Sequence, residues 1–138
     1  MDEQRARNLF AAGHVARFAS ADGDAVPHLV PITFAMPDDA TVVFAVDHKP
    51  KTTANLRRLA NVRANPRVSL LVDDYSDDWA GLWWVRVDAR ATVLELEDDR
   101  TCVAVDALVE RYPQYRGNRP AGPVVWCTVS RWVGWSAR

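Results

Sequence analysis

The chain has 138 residues, of which 49% are hydrophobic and 25% charged, and its formal net charge is -1. This length and apolar content predict one folded domain over residues 1–138. The near-neutral charge gives no field that would attract nucleic acid, and no apolar run is long enough to span a membrane. The charged start MDEQRARNLF lacks the apolar segment of a secretory signal, so we expect a cytoplasmic protein.

Three apolar runs in the first third of the chain predict β-strands. They occupy residues 14–20, 25–36 and 41–46. A short helix over residues 2–12 precedes them, and Gly13 closes it. Pro27 and Pro31 cannot donate to a sheet ladder, so the second strand is expected at an edge or a bulge. The third strand is apolar enough to be buried on both faces.

The rest of the chain predicts two helices and three more strands. The strands are expected at residues 67–73, 82–96 and 124–137. One helix is predicted from about Thr52 to Val62 and ends before Pro66, and an amphipathic helix is predicted over residues 98–111. Six strands joined mostly by hairpins predict a mainly β (α+β) fold, a six-stranded antiparallel barrel with short flanking helices.

Positive charge and hydroxyls gather at the start of the second helix, in the sequence KPKTT. A helix N-terminus offers free N–H groups and a positive dipole end to phosphate, and a nearby lysine adds a full charge. Lys51, Thr52 and Lys49 are therefore candidate phosphate-binding residues. Asn55 lies four residues after Lys51, on the same helix face. An ordinary solvated loop with an N-cap is the alternative.

Six tryptophans are many for this length and predict an interface or a ligand pocket. The clustered ones are Trp83 with Trp84 and Trp132 with Trp135. We expect surface or dimer contacts for Arg57 and Arg58 on the second helix, and recruitment of one of them by a polyanionic ligand is the alternative. Cys102 and Cys127 belong to no CxxC motif, which predicts two buried, reduced thiols.

Motifs of metal and nucleotide chemistry are missing from the sequence. Its three histidines, His14, His28 and His48, have no metal-ligand spacing, so no metal site is expected. The patterns GxSxG, GxxxxGKS/T and GxGxxG are also absent, which argues against nucleophile-elbow, P-loop and Rossmann chemistry. The sequence identifies no catalytic acid, base or nucleophile.

Five stretches resemble the pyridoxamine-phosphate-oxidase-like flavoproteins, which have an FMN-binding type of split β-barrel. They are PHLVPITFA (27–35), DHKPKTTANLRRLANVRANPRVSLLVDDY (47–75), DWAGLWWVRVDARA (78–91), RYPQYR (111–116) and RWVGWSA (131–137). Within this family the chain most resembles the actinobacterial F420-dependent oxidoreductases. The Trp-Trp and RYPQYR motifs carry the resemblance to this subgroup.

The resemblance implies a homodimer with a cofactor at the subunit interface, either the deazaflavin coenzyme F420 or, as in sister groups, FMN. Pyridoxamine phosphate oxidases hold the FMN phosphate with basic residues on the second strand and just after the third. Lys51 matches the later position. The second-strand sequence VPITF has no Arg or Lys, which favours F420.

The flat cofactor ring is expected against the proline-broken second strand, beside Pro31, Ile32 and Thr33. Edge protection of the sheet is the alternative role of these prolines. The resemblance then implies an oxidoreductase that transfers a hydride from reduced F420 to an unidentified small organic acceptor. The alternatives are an FMN-dependent oxidase or reductase, and a flavin- or deazaflavin-binding protein without turnover.

Overall fold

The computed structural model of the chain describes residues 1–46 and 53–138. These ranges contain three α-helices and seven β-strands. The helices are α1 (Glu3–Ala12), α2 (Thr53–Ala64) and α3 (Asp99–Arg111). The strands are β1 (Ala16–Ala21), β2 (Pro27–Ile32), β3 (Ala35–Asp38), β4 (Thr41–Ala45), β5 (Arg67–Asp74), β6 (Trp83–Leu94) and β7 (Val124–Ser136).

The strands form one antiparallel sheet with the order β2-β1-β5-β6-β7-β4-β3. Its two outermost strands, β2 and β3, follow each other in the chain and are joined by Thr33 and Phe34 alone. A link of this length spans about 11 Å at most. The sheet therefore curls until its two edges meet at this corner, and this curling makes the split barrel.

The predicted second strand is in fact two strands, so the predicted count of six strands was wrong. Residues 27–32 pair with β1, whereas Ala35 and Asp38 pair with β4 at the other end of the sheet. The two halves pair with different strands, and no turn motif in the local sequence indicates that the strand is divided. The mainly β antiparallel architecture with three helices is confirmed.

The expected positions of the prolines and of the buried strand are confirmed. Pro27 and Pro31 lie on the edge strand β2, and Pro37 lies on the opposite edge strand β3. An edge strand needs only one row of ladder donors, so a missing N–H is tolerated there. Strand β4 runs between β3 and β7, and its residues from Thr41 to Phe44 are all buried.

The barrel interior holds the larger hydrophobic core. Alternate residues of the strands point into it, as Val68, Leu70 and Val72 do on β5. Four fully buried phenylalanines pack in pairs, Phe10 with Phe34 at 4.9 Å between ring centroids and Phe18 with Phe44 at 4.7 Å. A smaller core lies under α3, around Val43, Leu94 and Leu108.

Candidate functional site

Three of the predicted phosphate-binding residues, Lys49, Lys51 and Thr52, lie outside the described residues. Asn55 lies in the first turn of α2, and its side chain is also outside the description. Helix α2 itself begins at Thr53 and runs to Ala64, close to the predicted bounds. Around the first turns of α2, the described part of the candidate site therefore consists of residues of β2, β4 and α2 itself.

Arg57 and Arg58, one turn into α2, have different environments. Arg57 is exposed, as expected for a surface residue. Arg58 is half-buried, and its Cζ lies 5.9 Å from the ring centroid of Phe44, a core residue of β4. Burial lowers the pKa of Arg58. The side chain of Arg58 therefore packs against the end of the barrel core, and its predicted dimer contact stays a prediction.

His28 on β2 lies close enough to these two arginines to be affected by their charges. Burial lowers the pKa of His28, and the charges of Arg57 and Arg58 lower it further. Its Nδ1 atom is buried and has no hydrogen-bond partner among the described residues. A buried polar atom without a partner is costly in a folded protein. An anion beside His28, Arg57 and Arg58 would interact favourably with all three groups.

The predicted ring-side residues lie at the end of the edge strand that carries His28. Pro31 and Thr33 are exposed, whereas the side chain of Ile32 is only 6% exposed and belongs to the barrel core. In the described ranges, no strand pairs with the outer edge of β2. Pro31 and Thr33 therefore present side chains outwards, and Ile32 can offer a ligand only its backbone.

The corner between β2 and β3 is held by residues of the RYPQYR motif. The hydroxyl of Tyr112 accepts a hydrogen bond from the Phe34 amide at 3.0 Å, and it lies 2.8 Å from the Phe34 carbonyl and 2.9 Å from that of His14. Arg111 donates to the carbonyls of Ala11, at 2.6 Å, and Gly13. Sequence reasoning noticed this motif without finding its role.

The tryptophans are divided between the barrel and its surface. Trp132 is half-buried and packs edge-on against Phe10, with ring centroids 5.6 Å apart. Trp84 lies opposite Trp135 in the β6–β7 ladder. Trp79 is 78% exposed in the loop before β6. Exposed aromatic rings of this size are typical of surfaces that bind a partner or a ligand.

The two cysteines differ from the prediction in one respect. Both are free, and Cys127 is fully buried, which raises the pKa of its thiol to about 12. Cys102 is exposed, because it lies on the solvent side of α3, whose buried face is formed by Thr101, Ala104 and Leu108. In the described part of the chain, no group of His, Cys, Asp and Glu residues could hold a metal ion.

The family pattern described as pyridoxamine 5'-phosphate oxidase matches residues 2–136. The chain belongs to this family. Its resemblance to pyridoxamine-phosphate-oxidase-like split barrels is thereby confirmed. No curated protein matches the sequence. None of the helices in the described ranges is long and apolar enough to cross a membrane.

Solved structures of the same fold cover nearly the whole chain. An FAD-binding protein from Mesorhizobium loti has 22% identity and a TM-score of 0.75, over 97% of this chain and 92% of that one. A conserved hypothetical protein from Mycobacterium tuberculosis has 21% identity and a TM-score of 0.78, over 100% and 86%. A heme storage protein from Vibrio cholerae has 14% identity and a TM-score of 0.73, over 97% and 93%. The TM-scores establish a shared fold, and at identities this low the matches establish nothing beyond the fold.

Proposed function

We propose that the protein is a cytoplasmic oxidoreductase that binds coenzyme F420 and reduces a small organic acceptor. The observation that carries this proposal is the pair of cations Arg57 and Arg58 in the early turns of α2, near His28 of β2, in a member of the pyridoxamine 5'-phosphate oxidase family. Two positive charges near a buried Nδ1 atom that has no partner among the described residues fit an anionic ligand.

In this proposal the cofactor phosphate binds at the start of α2. Lys51 is its main charged partner, with Lys49, Thr52 and Asn55 beside it. The helix contributes its free N–H groups and its positive dipole end. Arg57 and Arg58 add positive charge near His28 of β2. The orphaned Nδ1 of His28 gains a partner when an anion or its hydration shell is present.

The ring is proposed to lie along the outer edge of β2, beside Pro31, Ile32 and Thr33. Pro31 and Thr33 are exposed there, and Ile32 takes part through its backbone. When bound, reduced F420 supplies the hydride. The protein orients the ring, neutralises the charge of the phosphate and keeps water away from the reacting atoms. We assign no catalytic acid or base to this chain.

F420 is favoured over FMN because the stretch VPITF of β2 and its corner has no Arg or Lys to hold an FMN phosphate. An FMN-dependent oxidase or reductase is the first alternative, and relatives in fold include an FAD-binding protein. The second alternative is a binding protein without turnover. The heme storage protein of the same fold supports it, since one fold hosts unrelated functions.

We also propose that residues 1–138 form a single cofactor-binding domain and that two copies make a homodimer, with the cofactor at their interface. Large apolar side chains on the outer face of the sheet support this arrangement. Leu29 is 67% exposed on β2, and Trp135 on β7 is also exposed. Burial of such side chains between two copies would remove apolar surface from water.

Titration of the purified protein with F420 and with FMN, followed by fluorescence quenching at the same salt concentration, tests the cofactor proposal. We expect F420 to bind more tightly. FMN affinity equal to or higher than that of F420 would contradict it and favour the first alternative. Tight F420 binding without oxidation of the reduced cofactor by any tested acceptor would favour the binding protein.

A further inference from the structure

An open pocket of about 380 Å³ lies at the end of the barrel where α1 packs. It is formed by the C-terminal end of α1 and the adjoining ends of β1, β5 and β6, and its walls include Leu9, Gly13, Val72 and Trp83. Helix α1 ends so close to β5 that a Cβ atom at Gly13 would lie 2.5 Å from Cγ1 of Val72. The volume suits a small organic molecule.

Asp74 and Trp83 lie next to each other in this pocket. They are directly paired in the β5–β6 ladder, so their side chains are on the same face of the sheet. The alternation along β5 gives Asp74 the same facing as Val72, a residue of the barrel core. Trp83 is half-buried and packs against that core. An aromatic ring beside a carboxylate is a combination that attracts organic cations.

The charges that line the pocket leave one carboxylate without a counterion. At the outer lip, Arg17 forms an ion pair with Asp73 at 3.6 Å. Asp74 is exposed and forms no ion pair or side-chain hydrogen bond within the described ranges. Arg5 of α1 does not line the pocket, and its guanidinium group binds oxygen atoms at and just beyond the end of β7, at 3.3 and 3.4 Å. The lining residues therefore carry a net negative charge, with His14 counted as neutral.

The pocket opens next to the proposed position of the cofactor ring. Arg17 at its lip lies opposite Pro31 in the β1–β2 ladder. The hydroxyl of Tyr112 lies within hydrogen-bond distance of both the carbonyl of His14, which lines the pocket, and the amide of Phe34 at the corner between β2 and β3. The lip belongs to the sheet face that we assign to the homodimer, whereas the floor faces the end of the barrel. A small molecule in the pocket would thus lie beside the ring.

We propose that this pocket binds a small, flat organic cation, and that the hydride acceptor belongs to this class. The cation stacks on Trp83, and its charge faces Asp74. The binding of a cation stands on the pocket alone, whereas its role as acceptor rests on the proposed oxidoreductase function. In the transfer, one C–H bond of the reduced cofactor breaks and a C–H bond forms on the ring of the cation, which accepts both electrons and becomes neutral. The second proton of the reduced cofactor goes to solvent.

NMR titrations of the full chain with 1-methylnicotinamide, a flat cation, and with nicotinamide, its neutral analogue, test the cation site without cofactor. The indole N–H signal of Trp83, assigned from its loss in Trp83→Phe, should shift with the cation, and nicotinamide should bind more weakly. Asp74→Asn should lower the affinity for the cation about tenfold and remove its advantage over nicotinamide, because a charge-assisted contact is lost. The control Asp77→Asn, at an exposed loop position outside the pocket, should leave the affinity unchanged.

A cation site is ruled out if the Trp83 signal does not respond, if nicotinamide binds as tightly as the cation, or if Asp74→Asn and Asp77→Asn weaken binding equally. The same titration with F420 already bound tests the acceptor role. We expect the cation to bind with similar affinity, since it lies beside the ring. Mutual exclusion of F420 and the cation would overturn the acceptor role. Absence of F420 binding would overturn the proposed function and the acceptor role with it, whereas the cation site is still decided by the titrations without cofactor.

Discussion

Removal of one hydroxyl, by Tyr112→Phe, should destabilise the corner where the barrel closes. This hydroxyl accepts the amide proton of Phe34 at 3.0 Å and lies within hydrogen-bond distance of two carbonyl oxygens, those of Phe34 and His14. Phe34 is fully buried and joins β2 to β3. The variant retains the aromatic ring, so its main effect is the loss of these hydrogen bonds.

The expected loss of stability follows from the partners left behind. A hydrogen bond contributes about 0.5–1.5 kcal/mol net, and an unsatisfied buried donor costs about 1–3 kcal/mol. Because the site is partly buried, we expect a decrease of about 2 kcal/mol in the free energy of unfolding. For a chain of this length that corresponds to a melting temperature lower by roughly 6–10 °C.

Urea unfolding of wild type, Tyr112→Phe and Tyr115→Phe measures this difference. Tyr115→Phe is the matched control, because its hydroxyl only approaches the exposed Thr33 Oγ1 at 3.4 Å. We expect it to cost no more than about 0.5 kcal/mol. Equal losses for the two variants, or a loss below about 0.5 kcal/mol for Tyr112→Phe, would show that the hydroxyl does not hold the corner.

Three further outcomes are expected. Lys51→Ala should weaken cofactor binding about ten- to hundredfold and change the free energy of unfolding by no more than about 0.5 kcal/mol, and Lys49→Ala should weaken binding less. At high salt the difference in cofactor affinity between wild type and Lys51→Ala should become smaller, because the lost interaction is electrostatic. Unchanged affinity of Lys51→Ala would refute the phosphate assignment. The pKa of His28 lies below its ordinary 6.5, so the unfolded chain binds the proton more readily and stability falls as pH drops through the unfolded pKa. Chemical unfolding at about pH 7.5 and 5.5 should show a smaller decrease for His28→Gln than for wild type; parallel decreases would argue against a depressed pKa. Sedimentation at micromolar concentration should show a dimer, and a monomer would contradict the proposed interface.

The helices and strands were predictable because their signals are local. On β5, buried Val68, Leu70 and Val72 alternate with more exposed residues, and this period of two is a property of the extended backbone. On α3, Ala104, Val105 and Leu108 form one buried stripe, as the helical repeat requires. The edge position of Pro27 and Pro31 followed from their missing N–H groups.

The amino-acid sequence by itself thus determined which segments are strands or helices, the mainly β fold and the family. Only the tertiary structure decided where the barrel closes and which charges meet. Nothing in the sequence from Ile32 to Ala35 signals that one strand ends and another begins. The break arises because β2 and β3 pair at opposite ends of the sheet and because Tyr112, 78 residues after Phe34, binds the corner between them. Likewise, His28 approaches Arg58, and Arg17 meets Asp73, because contacts between distant segments depend on strand register and helix packing, which are long-range properties of the folded chain.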